Sequence, residues 1–301
     1  MMNPPRISLI IPVRNGDRTL RDCLDSCLNQ NFNDYELIIV DNLSSDGTGD
    51  IIREYEKKDK RIKHVVEEKI GRGSARNSGI AKAKGDIITW TDADCVVPED
   101  WLERLTYPIR KTCVDVVQGN EESISDGFLS REAQKAGQRH IRAHILEDDM
   151  IDHIDTKNLA IKTVLLKNVG SFDPNLKALE DFDLKIRLKK RGIKIYYVED
   201  LSVKHHHRED LLHLFQTRFE QGYWAAKVYF KHMNFFNESK HKDNTIRSMY
   251  PLDFLMFPIH LILSIRKYGI SSFIFETITG IMWRMGNIKG RFDYCRKKKG
   301  G

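Results

Sequence analysis

The chain has 301 residues, 41% of them hydrophobic and 31% charged, with a net charge of +6. That length and mix exclude a disordered or collagen-like polymer and a fully membrane-embedded chain, and they fit one large α/β unit with a tail as well as two domains. The charge is uneven: residues 201–301 hold 17 Lys and Arg against 8 Asp and Glu, a balance of +9, whereas the first 200 residues carry 32 against 35.

MMNPPRISLIIPVRNG opens with an apolar run too short for a secretory signal, and its β-branched residues suit a buried strand over 7–13. RTLRDCLDSCLNQ (18–30) reads as a helix, YELIIVD (35–41) as a strand, and SSDGTGDIIREYEKK (44–58) as a helix opened by capping residues. Cys23 and Cys27, four apart on the first helix, suit shared packing in a reducing compartment better than a metal or a disulfide, and no CxxC pair is present. IKHVV (62–66) is a shorter strand, and a Gly-rich turn leads into GSARNSGIAKAKG (73–85) and the strand DIITWTD (86–92). This alternation predicts a mostly parallel sheet flanked by helices on both faces. Ligands of such sheets bind beyond the carboxyl ends of the strands. Asp41 closes the second strand and Asp92 with Asp94 closes the fourth, so the three carboxylates are expected at one sheet edge. Turn and helix-capping duty is the other reading of Asp92, Asp94 and Asp100.

Residues 120–155 are polar and acidic and are expected to form a loop-rich or helical cover. LEDFDLKIRLKKRGIKIYYVED (179–200) reads as a helix, a stop at Gly192 and a strand. Glu180 and Asp181 open that helix, where acids are favoured on structural grounds alone. VKHHHRED follows, and strand alternation would set His205 and His207 on one face and His206 on the other. Beyond a long helix, the apolar stretches 250–265 and 270–285 are interrupted by Asp253, His260, Glu276 and Arg284. Each is shorter than the ~20 uninterrupted residues of a spanning helix. With Trp283 and the basic KGRFDYCRKKK (289–299), they read as a surface anchor for an anionic membrane, or else as helices packed on the domain or in a dimer interface.

SLIIPVRNG (8–16), DNLSSDGT (41–48), GRGSARNSGIAKAKGDIITWTDADC (71–95), NVGSFDPNLKALEDFDLKIRLKKRG (168–192) and HHHR (205–208) follow one another in an order that resembles the family-2 type of inverting glycosyltransferases. The resemblance covers roughly the first 230 residues. It implies the α/β GT-A fold, a Rossmann-like, mostly parallel sheet flanked by helices, and the helical tail read above, a membrane anchor or a packed element, lies beyond it. The expected division is a catalytic domain over 1–232, with a nucleotide-sugar half (1–120) and an acceptor half (121–232), and a tail over 233–301.

The implied activity is inverting transfer of a single sugar from a nucleoside diphosphate sugar, UDP first among them, to a hydroxyl acceptor; a tail bound to the membrane would make that acceptor a glycan or lipid-linked hydroxyl at its surface. The charge that develops on the leaving diphosphate is then met by Mn²⁺ or Mg²⁺, ions that carboxylates suit. By the resemblance, Asp94 is the metal ligand of a DxD motif, and Asp92 binds the ribose or helps the metal. Pro12 and Ala93 belong to the same nucleotide pocket, and Asp41 accepts hydrogen bonds from the base. Asp46, Arg76 and Asn77 line the donor pocket, the fork of Arg76 matching phosphate oxygens. Asp181, beside Glu180, matches the catalytic base, and His205, ahead of His207, completes the metal site.

The QxxRW signature of processive synthases is absent: the nearest segment is QTRFEQGYW, with Arg218 and Phe219 at another spacing. Single addition is therefore expected, at the cytoplasmic face of the cell membrane, with no nucleic-acid partner. A nucleotidyltransferase acting on sugar nucleotides would instead carry a Gly-rich phosphate loop where PVRNGDRTL stands. A non-catalytic glycan- or lipid-binding scaffold would not need Asp94 and Asp181 together.

Overall fold

The computed structural model describes residues 5–207, 209–238 and 251–299. Four strands, β1 (Ile7–Val13), β2 (Tyr35–Asp41), β3 (Ile62–Val66) and β4 (Ile87–Trp90), form a parallel block in the order β3-β2-β1-β4. The helices between them are α1 (Leu20–Leu28), α2 (Thr48–Lys58) and α3 (Arg72–Lys82). β2 is buried along its whole length, as a strand covered on both faces must be. On one face Ile7, Leu9 and Ile11 share a core with Leu20, Leu24 and Ile52. On the other, a Cβ at Gly79 would stand 2.5 Å from Ile10 Cγ2, so a glycine there is what lets α3 lie against β1. Cys23 and Cys27 are fully buried and free, which agrees with the packing role expected of them.

The rest of the sheet is mixed. After β5 (Cys95–Val96), α4 (Trp101–Lys111), β6 (Val116–Ser123), α5 (Phe128–Arg142), β7 (Met150–Ile151) and a 3₁₀ turn over Thr156–Asn158 come β8 (Leu159–Lys162), α6 (Thr163–Asn168), α7 (Glu180–Lys189) and β9 (Ile195–His205). β8 joins antiparallel to β4, β6 antiparallel to β8, and β9 parallel to β6, while the two-residue β5 and β7 pair antiparallel with β9. The stretch expected as a cover thus contains part of a sheet strand and a long helix. Its polar residues hid that strand, because the last residues of β6 face polar partners rather than a core. Strand β9 ends at His205.

Two compact units result, one of residues 1–124 with 144–206, the other of 125–143 with 207–301. The first contains the whole sheet. The second contains α5, α8 (Leu211–Lys231), α9 (Met233–Glu238) and α10 (Pro251–Lys299), whose helical path breaks at Gly269 (φ 86°, ψ 173°). After the break α10 runs parallel to α8: Phe219 meets Gly286, Tyr223 meets Gly290, and Phe230 stacks on Tyr294 at 3.9 Å. A Cβ on Gly222 would come within 1.8 Å of the Trp283 carbonyl oxygen, so the missing side chain of Gly222 is what lets the α10 backbone come so close. Among the described residues no helix is long and apolar enough to cross a membrane. Arg208 and Tyr250, at the edges of two sequence motifs, lie outside the described residues.

Candidate active site

The strand order puts β1 between β2 and β4, with Val13 level with Asp41 and Ile10 level with Trp90. Asp41, Asp92 and Asp94 therefore leave the sheet on one edge, as the sequence predicts. The loops after β1 and β2 are stitched together: Asn15 N donates to Ser44 Oγ at 2.9 Å, and Ser45 N donates to Asn15 Oδ1 at 2.8 Å. Asp41, buried at the strand end, accepts from Ser44 N at 2.9 Å. Pro12 lies within β1 opposite Val40, and Ala93 is buried between the two carboxylates. Asp46 accepts from Thr48 N (3.0 Å), Thr48 Oγ1 (2.5 Å) and Asp17 N (3.2 Å), so its oxygens fix the start of α2 and the loop after β1. Burial alone would raise its pKa, and those bonds lower it instead.

Arg76 and Asn77, expected in the donor pocket, are engaged with the chain itself. Both amide groups of Asn77 clasp the backbone of Phe172, its Nδ2 donating to the carbonyl at 2.8 Å and its Oδ1 accepting from the N–H at 3.0 Å. The Arg76 side chain is 3% exposed; it pairs with Glu180 and, at 3.3 Å, with Asp92, and it lies over the Phe172 ring at 5.6 Å. Phe172 in turn meets Trp90 edge to face at 5.6 Å. Two neighbouring residues of α3 thus anchor the loop that leads to Asp181. Glu180 is the buried carboxylate of that anchor, and among the described residues its Oε2 and the Arg76 Nε both lack a hydrogen-bond partner.

Leu179, just before α7, takes the left-handed conformation (φ 61°, ψ 26°), an uncommon and costly one for a branched residue. The turn it makes starts the helix at Glu180 and Asp181. Asp181 Oδ1 accepts from Phe182 N at 2.7 Å. Burial first, then the charges of Glu180 and Asp155, push its pKa up to about 7, against the pull of Arg76. Asp183, two residues on, is fully buried and paired with Arg187 at 2.8 Å, whose guanidinium also donates to the Val169 and Ser171 carbonyls. It is a structural brace.

At the other side of the DxD stretch, Asp94 Oδ1 lies 3.4 Å from His205 Nε2, and His205 Nδ1 bonds Glu121 Oε1 at 2.8 Å. Lys157 joins Glu121 Oε2 (2.9 Å) to Asp155 Oδ2 (2.6 Å). Burial pushes the His205 pKa down, but the bonds to Asp94 and Glu121 outweigh it and raise the value to about 9. Asp94 is held below its ordinary range because His205 and Lys157 overcome its desolvation. Asp92 is raised, by burial first and the Asp94 charge second, with Arg76 opposing.

Asp94, Cys95 and His205 bring one ligand atom each within 4.8 Å of one another. Burial raises the Cys95 thiol well above its usual value, so the usable donor set is a carboxylate and an imidazole oriented by a second carboxylate, a set that fits a divalent ion such as Mn²⁺. His206 N donates to the Asp94 carbonyl at 2.9 Å, and His207 belongs to the second unit. Glu121, Asp155 and Lys157 join the predicted residues at this site: the first two lie in the polar stretch 120–155 and Lys157 just after it, where no motif marks them.

A family model described as glycosyl transferase family 2 matches residues 8–166, more than half of the chain. The chain belongs to glycosyl transferase family 2. Its relatives include the glycosyltransferase AglE of Haloferax volcanii, 29% identical over 202 residues that cover 65% of this chain and 66% of AglE. The glycosyltransferase GlyA of Streptococcus pneumoniae is 32% identical over 126 residues, 42% of this chain, and the match spans only 18% of GlyA. Among solved structures, the mannosyltransferase PcManGT of Pyrobaculum calidifontis, in complex with GDP-Man and Mn²⁺, superposes with a TM-score of 0.71 at 16% identity, covering 96% of this chain and 88% of that one. That likeness shows the fold, an α/β GT-A architecture with a mostly parallel central sheet, and the family model shows the family.

Proposed function

We propose that this family-2 member carries out inverting transfer of a single sugar from a nucleoside diphosphate sugar to a hydroxyl acceptor, with Asp181 as the general base. The observation that carries the reading is the placing of Asp181 at the start of α7, beside Glu180, which Arg76 ties to Asp92; burial there raises the Asp181 pKa to about 7. A base with a pKa near the working pH combines an ionised fraction with useful proton affinity. Asp181 takes the acceptor proton as the acceptor oxygen attacks the anomeric carbon from the face opposite the diphosphate, and inversion follows.

Asp94 and His205 would hold a divalent ion, Mn²⁺ or Mg²⁺, with Asp92 beside them and Glu121 fixing the imidazole. Such an ion, when bound, neutralises charge on the leaving diphosphate. Asp41, at the end of β2, is the acceptor for the nucleotide base. Arg76 and Asn77 act by anchoring the base-bearing loop, and Asp46 by fixing the loop beside Asp41. GDP-Man in PcManGT supports a nucleoside diphosphate sugar as donor, and a UDP-sugar is the first candidate. The acceptor is a glycan or lipid-linked hydroxyl presented at the cytoplasmic face of the membrane, where the chain is peripherally attached.

A panel of nucleotide sugars incubated with the purified chain and Mn²⁺ should give nucleoside diphosphate release from one donor well above the rest. Asp94→Ala should abolish the metal-dependent part of that donor's binding in calorimetry. Release from no donor counts against transfer, and unchanged metal-dependent affinity removes Asp94 from the site.

A further inference from the structure

Among the described residues, the second unit carries an apolar face that its own helices leave uncovered. After the break at Gly269, α10 turns Ser272, Phe275, Thr279 and Asn287 inward; Ser272 Oγ donates to Glu132 Oε2 of α5 at 2.7 Å, and Asn287 Nδ2 to the Gly222 carbonyl of α8 at 3.2 Å. The opposite side bears Ile270, Ile274, Ile281, Met285, Ile288 and Phe292, each between 42% and 71% exposed. At ~100° per residue these six fall within about 60° of arc along roughly 33 Å of helix. At its start the stripe runs into an apolar hollow, open to solvent, where Ile274 and Ile278 meet Phe128 and Leu211. A continuous face of this kind marks an interaction surface.

Its spacing, with Ile274, Ile278, Ile281, Met285, Ile288 and Phe292 alternating by four and three, would also suit the seam of a helix pair. The flanks decide between the occupants. The positions bordering the seam in its last two heptads are Arg284, Lys289, Arg291 and Arg296, and no acid occupies a bordering position from 275 to 296. Lys289 and Arg296 are exposed, while Arg284 and Arg291 are half-buried and bonded along their own helix, to the Gly280 carbonyl and to Asn287 Oδ1. A second copy of this helix would set like charges against each other across both edges of the seam. An anionic lipid surface meets the apolar stripe and both basic borders at once, and basic residues flanking an apolar helix face suit such a surface.

We propose that the outward face of α10, from Ile270 to Phe292, lies on an anionic bilayer, with Lys289 and Arg296 at headgroup level. The inference rests on the membrane-presented acceptor proposed above; donor cleavage in solution tests the transfer chemistry separately, so the two can fail independently.

The test is flotation of the full chain with vesicles of phosphatidylcholine alone and of phosphatidylcholine with phosphatidylglycerol, at low and high salt. The chain is expected to float with the anionic vesicles, less with the neutral ones, and to lose binding as salt screens the attraction. Ile281→Glu with Ile288→Glu should lower the bound fraction by about tenfold or more, because two buried apolar contacts are lost. Lys289→Glu with Arg296→Glu should abolish the preference for anionic lipid. All four side chains are exposed, so melting curves should stay at the parent's temperature. Equal flotation of the Ile281/Ile288 pair variant and the parent overturns the proposal, as does a parent that floats with neither vesicle. A solution dimer that the same two glutamates split, without vesicle binding, assigns the face to a second copy and overturns it as well.

Discussion

Asp181→Asn is expected to slow sugar transfer by about 10²- to 10⁴-fold, the usual loss when a general base is removed. Donor affinity should stay within about twofold, since the role is on the acceptor side and the amide keeps the size of the carboxyl. Because the Asp181 pKa is raised to about 7, the rate of the parent enzyme should climb as pH rises through that value and level off above it. The substitution should flatten that limb.

Stability runs the other way. A carboxyl whose folded pKa lies above the ~3.9 of the unfolded chain contributes stability that is fully present below the unfolded value and is lost as pH rises through the folded one. The neutral asparagine carries no such loss, so the variant should melt a few degrees higher than the parent at pH values above 7 and gain less as pH falls. A variant that loses transfer and donor binding together, or melts lower at high pH, would place Asp181 outside the role given to it. Asp183 is no control for this experiment, since its burial against Arg187 makes it part of the fold.

Arg76→Met is expected to cost about 3–5 kcal/mol of folding stability, the range for leaving buried charges without their partner. Glu180, 3% exposed, would then keep no cation, and Asp92 would lose the charge that opposes its protonation. Chemical denaturation at neutral pH measures the loss. Arg76→Met combined with Glu180→Gln should recover part of it, giving a coupling that an arginine reserved for a bound phosphate would lack. Additive losses would mean that the Arg76–Glu180 contact carries little energy and that Arg76 is held in reserve for the donor.

The first half of the fold was legible because parallel strands covered on both faces are written as short apolar runs separated by capping residues. ISLIIPV, YELIIVD and IKHVV coincide with β1, β2 and β3. The edge carboxylates followed from strand ends alone. What the sequence could not convey is which partner a polar side chain finds. Arg76 is suited to phosphate and to carboxylate alike, and Glu180, 104 positions away in the chain, is the partner it meets. Glu121, Asp155 and Lys157 come together only when β6 pairs with β9 and the 3₁₀ turn folds beside them, a long-range event with no local period. In α10 the obstacle was excess rather than absence: apolar residues lie on both sides of that helix, and its glycines decide which side meets α8.

The most direct test of an inverting reaction based on Asp181 needs no acceptor. Slow hydrolysis of the donor selected by the screen, followed by proton NMR from the first minutes, records the anomer released before mutarotation mixes the two forms. Inversion requires the sugar to emerge first in the configuration opposite to that of the donor, with the signal lost in Asp181→Asn. A sugar that first emerges in the donor's own configuration would contradict the mechanism.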